Sequence, residues 1–95
     1  MIARITSSQV FPEKIDEFAR WWQDTIGGLK GEVEGLQSAY LLGDRQSGRG
    51  QGIALWESRE AMEAAMPQIN QVLQQAAQFT STAPQFEVLD VLGQV

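Results

Sequence analysis

The 95-residue chain is predicted to fold as an α+β, ferredoxin-like β-α-β-β-α-β domain, a four-stranded antiparallel sheet with both helices on one face. Three observations carry this expectation. Four strand-like runs alternate with two stretches of helical periodicity in that order. Every glycine except Gly93 falls within residues 27–35 or 43–52, two connections that bracket the second strand. The third and fourth strands carry apolar residues on both faces, although two helices can cover only one.

The first strand spans residues 2–10 and is rich in β-branched side chains. Pro12 opens a helix with Glu13 and Asp16 in its first turn, where negative charge suits the helix dipole. Ile15, Phe18, Ala19, Trp22 and Ile26 form its apolar stripe, and Gly27-Gly28 is read as its end. The second strand covers 36–42, and residues 44–49 form a hairpin loop into a third strand at about 52–57. Ser58 is the expected N-cap of the second helix. Ala61, Met62, Ala65, Ile69, Val72, Leu73, Ala76 and Phe79 keep one helical phase across Pro67, which lies on the solvent side. Two coaxial pieces or one kinked helix both satisfy that pattern. Gln68, Gln71, Gln74, Gln75 and Gln78 form its solvated face, and the last strand covers 86–92. One domain, 1–95, accounts for the chain, with no internal repeat or linker.

Composition removes whole classes of chemistry. Without cysteine there are no disulfides, thiolate nucleophiles or zinc–sulfur sites, and without histidine the usual general base and haem ligand are missing. The net charge of −5 and the scattered Arg4, Lys14, Arg20, Lys30, Arg45, Arg49 and Arg59 argue against nucleic acid and against anionic membranes. No apolar run approaches a membrane span, and the first residues lack the apolar stretch of a secretory signal, so a cytoplasmic protein is expected.

A partner is also expected. Ile53 and Leu55 lie on one face of the third strand, Ala54 and Trp56 on the other; Phe86, Val88 and Leu92 oppose Leu89 and Val91 in the fourth. The face without helices therefore needs a cover, and an identical sheet supplies one, giving a homodimer packed sheet to sheet.

The segment Ile53-Ala54-Leu55-Trp56-Glu57-Ser58-Arg59-Glu60-Ala61 resembles the W-E-S-x-E-A stretch of the antibiotic biosynthesis monooxygenase family of dimeric α/β barrels. Glu34-Gly35-Leu36 resembles that family's P-G-F step with Glu for Pro, and Pro12-Glu13-Lys14 resembles its first helix start. The resemblance covers essentially the whole chain. It implies a cofactor-independent monooxygenase acting on a small aromatic, anthrone- or quinol-like substrate, with no metal or other cofactor. In the branch that oxidises anthrones, the strand tryptophan has an Asn four residues before it and a Tyr six after; here those positions are Gly52 and Met62. The haem-degrading branch uses a helix His, which this chain lacks, and a helix Trp, whose place is taken by Ala65. A binding or auxiliary dimer without a reaction is the alternative.

Trp56 is the candidate catalytic residue, and Trp22, Met62, Tyr40 and Trp21 are candidate substrate-binding residues. Trp56 shares a strand face with Ala54 and Gly52, so it either borders an apolar pocket or is packed over by Trp22, Met62 or Phe18. Trp21 lies beside the helix stripe, at a pocket mouth, a subunit contact or simply the helix edge. Tyr40 is the only phenol and has a structural reading as well as a donor one. The glycine stretch 48–52 leads from a hairpin into a strand, which is the wrong context for a phosphate loop. Glu57, Glu60 and Glu63 surround a helix start, where carboxylates are favourable without catalysis.

Overall fold

Strand β1 (Ile2–Gln9) lies inside a four-stranded antiparallel sheet, paired on one side with β3 (Arg49–Trp56) and on the other with β4 (Gln85–Asp90). Strand β2 (Leu36–Gly43) completes the sheet beyond β3, giving the order β2-β3-β1-β4. Helices α1 (Ile15–Lys30) and α2 (Arg59–Ala76) are each flanked by a 3-10 turn, Pro12–Lys14 before α1 and Ala77–Phe79 after α2. These elements come from a computed structural model that describes residues 1–95. The β-α-β-β-α-β order matches the sequence expectation.

Register decides which residues meet the helices. Ile2 pairs with Trp56, Arg4 with Ala54, Thr6 with Gly52 and Ser8 with Gly50, so these alternate positions share a face. An irregularity between Leu36 and Ser38 shifts the phase of β2, placing Leu36, Ala39 and Leu41 on that face and Tyr40 and Leu42 on the other. Two buried clusters lie between sheet and helices. One holds Ile2, Leu36, Trp56, Met62, Ala65 and Ile69; the other holds Val10, Ile15, Phe18 and Phe79.

Several boundaries differ from the sequence reading, most by a single residue; three shifts are larger. Helix α1 runs through Gly27-Gly28 to Lys30, because Leu29 is buried and anchors the final turn, and neither glycine adopts the left-handed conformation of a helix stop. Strand β3 begins at Arg49, within the glycine-rich stretch. Pairing on both sides, Ser8 with Gly50 and Gly43 with Gly50, outweighs glycine's weak strand propensity. Strand β4 ends at Asp90, which leaves Val91 and the exposed Leu92 outside the sheet.

Helix α2 continues unbroken across Pro67. The ring is exposed, and the stripe of Met62, Ala65, Ile69 and Val72 holds both sides of it against the core. Pro67→Ala restores one helical hydrogen bond and is expected to raise stability by about 1–3 kcal/mol, read as a higher urea midpoint. At the start of α2 the Ser58 hydroxyl accepts a hydrogen bond from the Ala61 N–H at 3.1 Å. Ser58→Ala is expected to cost about 1 kcal/mol by the same measurement.

Candidate functional site

Small side chains on the inner face of β3 leave room beneath the helices. Gly50, Gly52 and Ala54 occupy three successive inward positions, opposite Ser8, Thr6 and Arg4 of β1. Helix α1 supplies Trp21, Trp22 and Ile26 above them, and α2 supplies Ile69, Val72 and Leu73. The result is a cavity of about 440 Å³ between sheet and helices, bordered at one end by residues 80–84. That volume lies within the usual range for small-molecule sites.

The cavity brings together three of the five candidate residues. Trp21 and Trp22 line it, and Trp56 borders it from the end of β3. Trp21 also belongs to an aromatic cluster, 5.8 Å from Phe18 and 5.6 Å from Phe79 between ring centroids. A Cβ placed on Gly52 would lie 3.7 Å from the Trp22 indole nitrogen, so this ring sits directly over the glycine. Trp56 is 0% exposed, sealed by Ile2, Leu36, Met62, Ala65 and Ile69, and its Nε1–H has no hydrogen-bond partner. It supports the cavity from behind the accessible surface.

Met62 and Tyr40 lie elsewhere. Met62 is buried against Trp56 and is absent from the cavity wall. Tyr40 is 57% exposed on the opposite face of the sheet, where the β2 irregularity turns it outward. Its hydroxyl is on the wrong side to meet anything in the cavity.

Arg4 is the residue that the sequence reading passed over. It is half-buried on the cavity wall, with its guanidinium carbon 4.3 Å from the centre of the Phe86 ring. It forms no ion pair; the one in the chain joins Arg45 and Asp16 at 3.0 Å on the surface. Withdrawal from water holds the guanidinium below the usual arginine range. The signal was present in the pattern Ile2, Arg4, Thr6, Ser8, Val10, where polar residues occupy the inward phase of an interior strand. An inward polar run within a buried strand marks a wall that expects a polar occupant.

No protein-family model matches the chain. Two uncharacterized proteins of Mycobacterium tuberculosis are 29% and 30% identical to it over 89 residues, 94% of this chain. The chain spans about two fifths of their length, 38% and 40% respectively. Among solved structures, a monooxygenase from the ActVA-Orf6 gene of Streptomyces coelicolor, in complex with nanaomycin D, superposes with a TM-score of 0.82 at 16% identity. That alignment covers 99% of this chain and 89% of the other. SnoaB, a cofactor-independent oxygenase from Streptomyces nogalater, matches with a TM-score of 0.77 at 15% identity, covering 99% and 95% of the two chains. An antibiotic biosynthesis monooxygenase matches with a TM-score of 0.76 at 17% identity, covering 98% and 100%. These likenesses agree with the motif resemblance around Trp56, and they show that this chain has the fold of the antibiotic biosynthesis monooxygenases.

Proposed function

We propose that this chain is a cytoplasmic, homodimeric, cofactor-independent monooxygenase of the antibiotic biosynthesis type, acting on a small aromatic, anthrone- or quinol-like compound. The observation that carries the reading is the tryptophan-lined cavity between sheet and helices, in a fold shared with two solved oxygenases. Trp21 and Trp22 offer aromatic surface to a flat ring, and Gly52 supplies the space beneath it. In such a reaction the deprotonated substrate itself reduces oxygen; one oxygen atom enters a ring carbon and the other leaves as water. The protein's task is to hold the substrate, exclude bulk water and stabilise its anion.

The experiment is oxygen consumption over a panel of anthrones and hydroquinones, comparing wild type with Gly52→Val. Valine suits a strand, and its methyl groups extend into the cavity below Trp22. Turnover by the wild type, reduced about 10-fold or more in a folded Gly52→Val protein, is the expected result. No oxygen uptake across the panel would remove the enzymatic reading.

A second reading, a binding dimer without a reaction, is favoured by one feature. The cavity wall carries no carboxylate, and the chain has no imidazole, so nothing there takes a proton from a neutral substrate. Tight aromatic binding without oxygen uptake is the outcome it expects.

The dimer half of the proposal rests on the other face of the sheet. Ile5 and Ile53 are direct partners at its middle, Ala3 and Leu55 pair beside them, and Tyr40, Leu42 and Leu89 extend the patch. Tyr40, Leu42 and Leu89 are each about half exposed in the single chain. An apolar sheet face of this kind is matched by a second copy of itself.

A further inference from the structure

The cavity wall has one charge. Arg4 is the only ionised side chain among the residues that line it, although acidic residues outnumber basic ones across the chain by 12 to 7. The remaining polar groups on the same phase of β1 are the hydroxyls of Thr6 and Ser8, which are neutral. A guanidinium half withdrawn from water without a counterion stands to gain from an anionic ligand. In this chain it also makes no hydrogen bond to the protein.

The Phe86 ring engages the group from one side at 4.3 Å. A cation held against a ring keeps its hydrogen-bonding capacity for other partners. The direct cross-strand partners supply none, Ala54 on β3 and Val88 on β4 being apolar, and Asp90, two residues on along the same face of β4, makes no ion pair or hydrogen bond with it. The adjoining space is apolar, walled by tryptophan, isoleucine, leucine and valine side chains. An occupant must therefore combine an apolar body with one anionic group at the β1 end.

We propose that this cavity selects an aromatic carboxylate, with the Arg4 guanidinium as the carboxylate's partner. The planar fork of arginine matches two carboxylate oxygens at once, which a single phenol oxygen does not offer. The inference deepens the aromatic-substrate reading above and rests on it for the location of the ligand. It adds the class of the substrate and a binding residue outside the tryptophan motif.

Binding can be read from quenching of the tryptophan fluorescence, since Trp21 and Trp22 line the cavity. The probes are 2-naphthoate, its neutral counterpart naphthalene-2-methanol, and 2,4-dinitro-1-naphtholate, which is a phenolate at neutral pH. Wild type is expected to bind 2-naphthoate about 10- to 100-fold more tightly than naphthalene-2-methanol, the range of a hydrogen bond to a charged group. Arg4→Met, which keeps an apolar stem beside Phe86, should abolish that preference and leave the neutral probe's affinity within about twofold. Arg4→Lys should retain a reduced preference, so a folding defect in one variant does not decide the matter.

Equal affinity for 2-naphthoate and naphthalene-2-methanol, or an undiminished preference in Arg4→Met, would overturn the proposal while leaving the aromatic cavity intact. Tighter binding of the naphtholate than the carboxylate would overturn its choice of anion. Binding of neither naphthalene would remove the cavity reading together with this one. Selective carboxylate binding without oxygen uptake would sustain the inference and discard the oxygenase.

Discussion

Truncating Trp56 to alanine is expected to lower the unfolding free energy by about 3–5 kcal/mol, measured by urea denaturation. Trp56 is the largest fully buried side chain and ends β3 between two partners, Ile2 on β1 and Leu36 on β2. Its ring is packed by Met62, Ala65 and Ile69 from α2, so removing it detaches the helix from the sheet as well as emptying a volume. A small domain has only about 5–15 kcal/mol in total, so the variant should be near its folding limit. The orphan Nε1–H gives the prediction a second arm. Trp56→Phe removes a buried donor that has no acceptor, and the gain offsets part of the lost ring area. Its expected cost is below about 2 kcal/mol. A Trp56→Ala loss under about 1 kcal/mol would show that the ring is not a keystone of this core.

Replacing Ile53 with aspartate should convert the proposed dimer to monomer. Ile53 lies opposite Ile5 in the middle of the helix-free sheet face, so a face-to-face pair would bury one new carboxylate from each copy. The dissociation constant is expected to rise about 100-fold or more, read by sedimentation at micromolar concentration. The same substitution should cost the single chain no more than about 1–2 kcal/mol, because Ile53 is only half-buried there. A wild-type protein that sediments as a monomer at micromolar concentration would overturn the dimer. An Ile53→Asp dimer of unchanged affinity would move the interface elsewhere.

Much of this architecture is legible in the chain because it rests on local chemistry. Pro12, Ser58 and the phase of Met62, Ala65, Ile69 and Val72 place the helices, and alternation groups Trp56 with Ala54 and Gly52 on one strand face, which the structure turns towards the helices. What could not be read depends on pairing between distant strands. Arg49, Gly50 and Gln51 resemble loop residues until β1 and β2 are seen on either side of them. The facing of Tyr40 follows from an irregularity at Leu36 and Ser38 that no residue type there announces. Met62 keeps its helical phase, yet it is buried against Trp56 and so does not reach the wall of the cavity. Arg4 was visible as a charge and not as a site, since its meaning depends on its place on the cavity wall without an ion-pair partner.

The position of β1 also sets an order of events during synthesis. It is the first strand to be made, yet both its partners, β3 and β4, come later in the chain. Only β2 and β3 are neighbours both in sequence and in the sheet, so their hairpin can close while the rest of the chain is still being translated. β1 must wait with both edges unpaired until β3 has formed, and its second edge waits until residue 90 is available. Its own sequence suits that wait: Arg4, Thr6, Ser7, Ser8 and Gln9 make the strand polar enough to remain solvated alone. The polar inward phase that gives the finished cavity its single charge thus also keeps the strand poor in apolar side chains while it is unpaired.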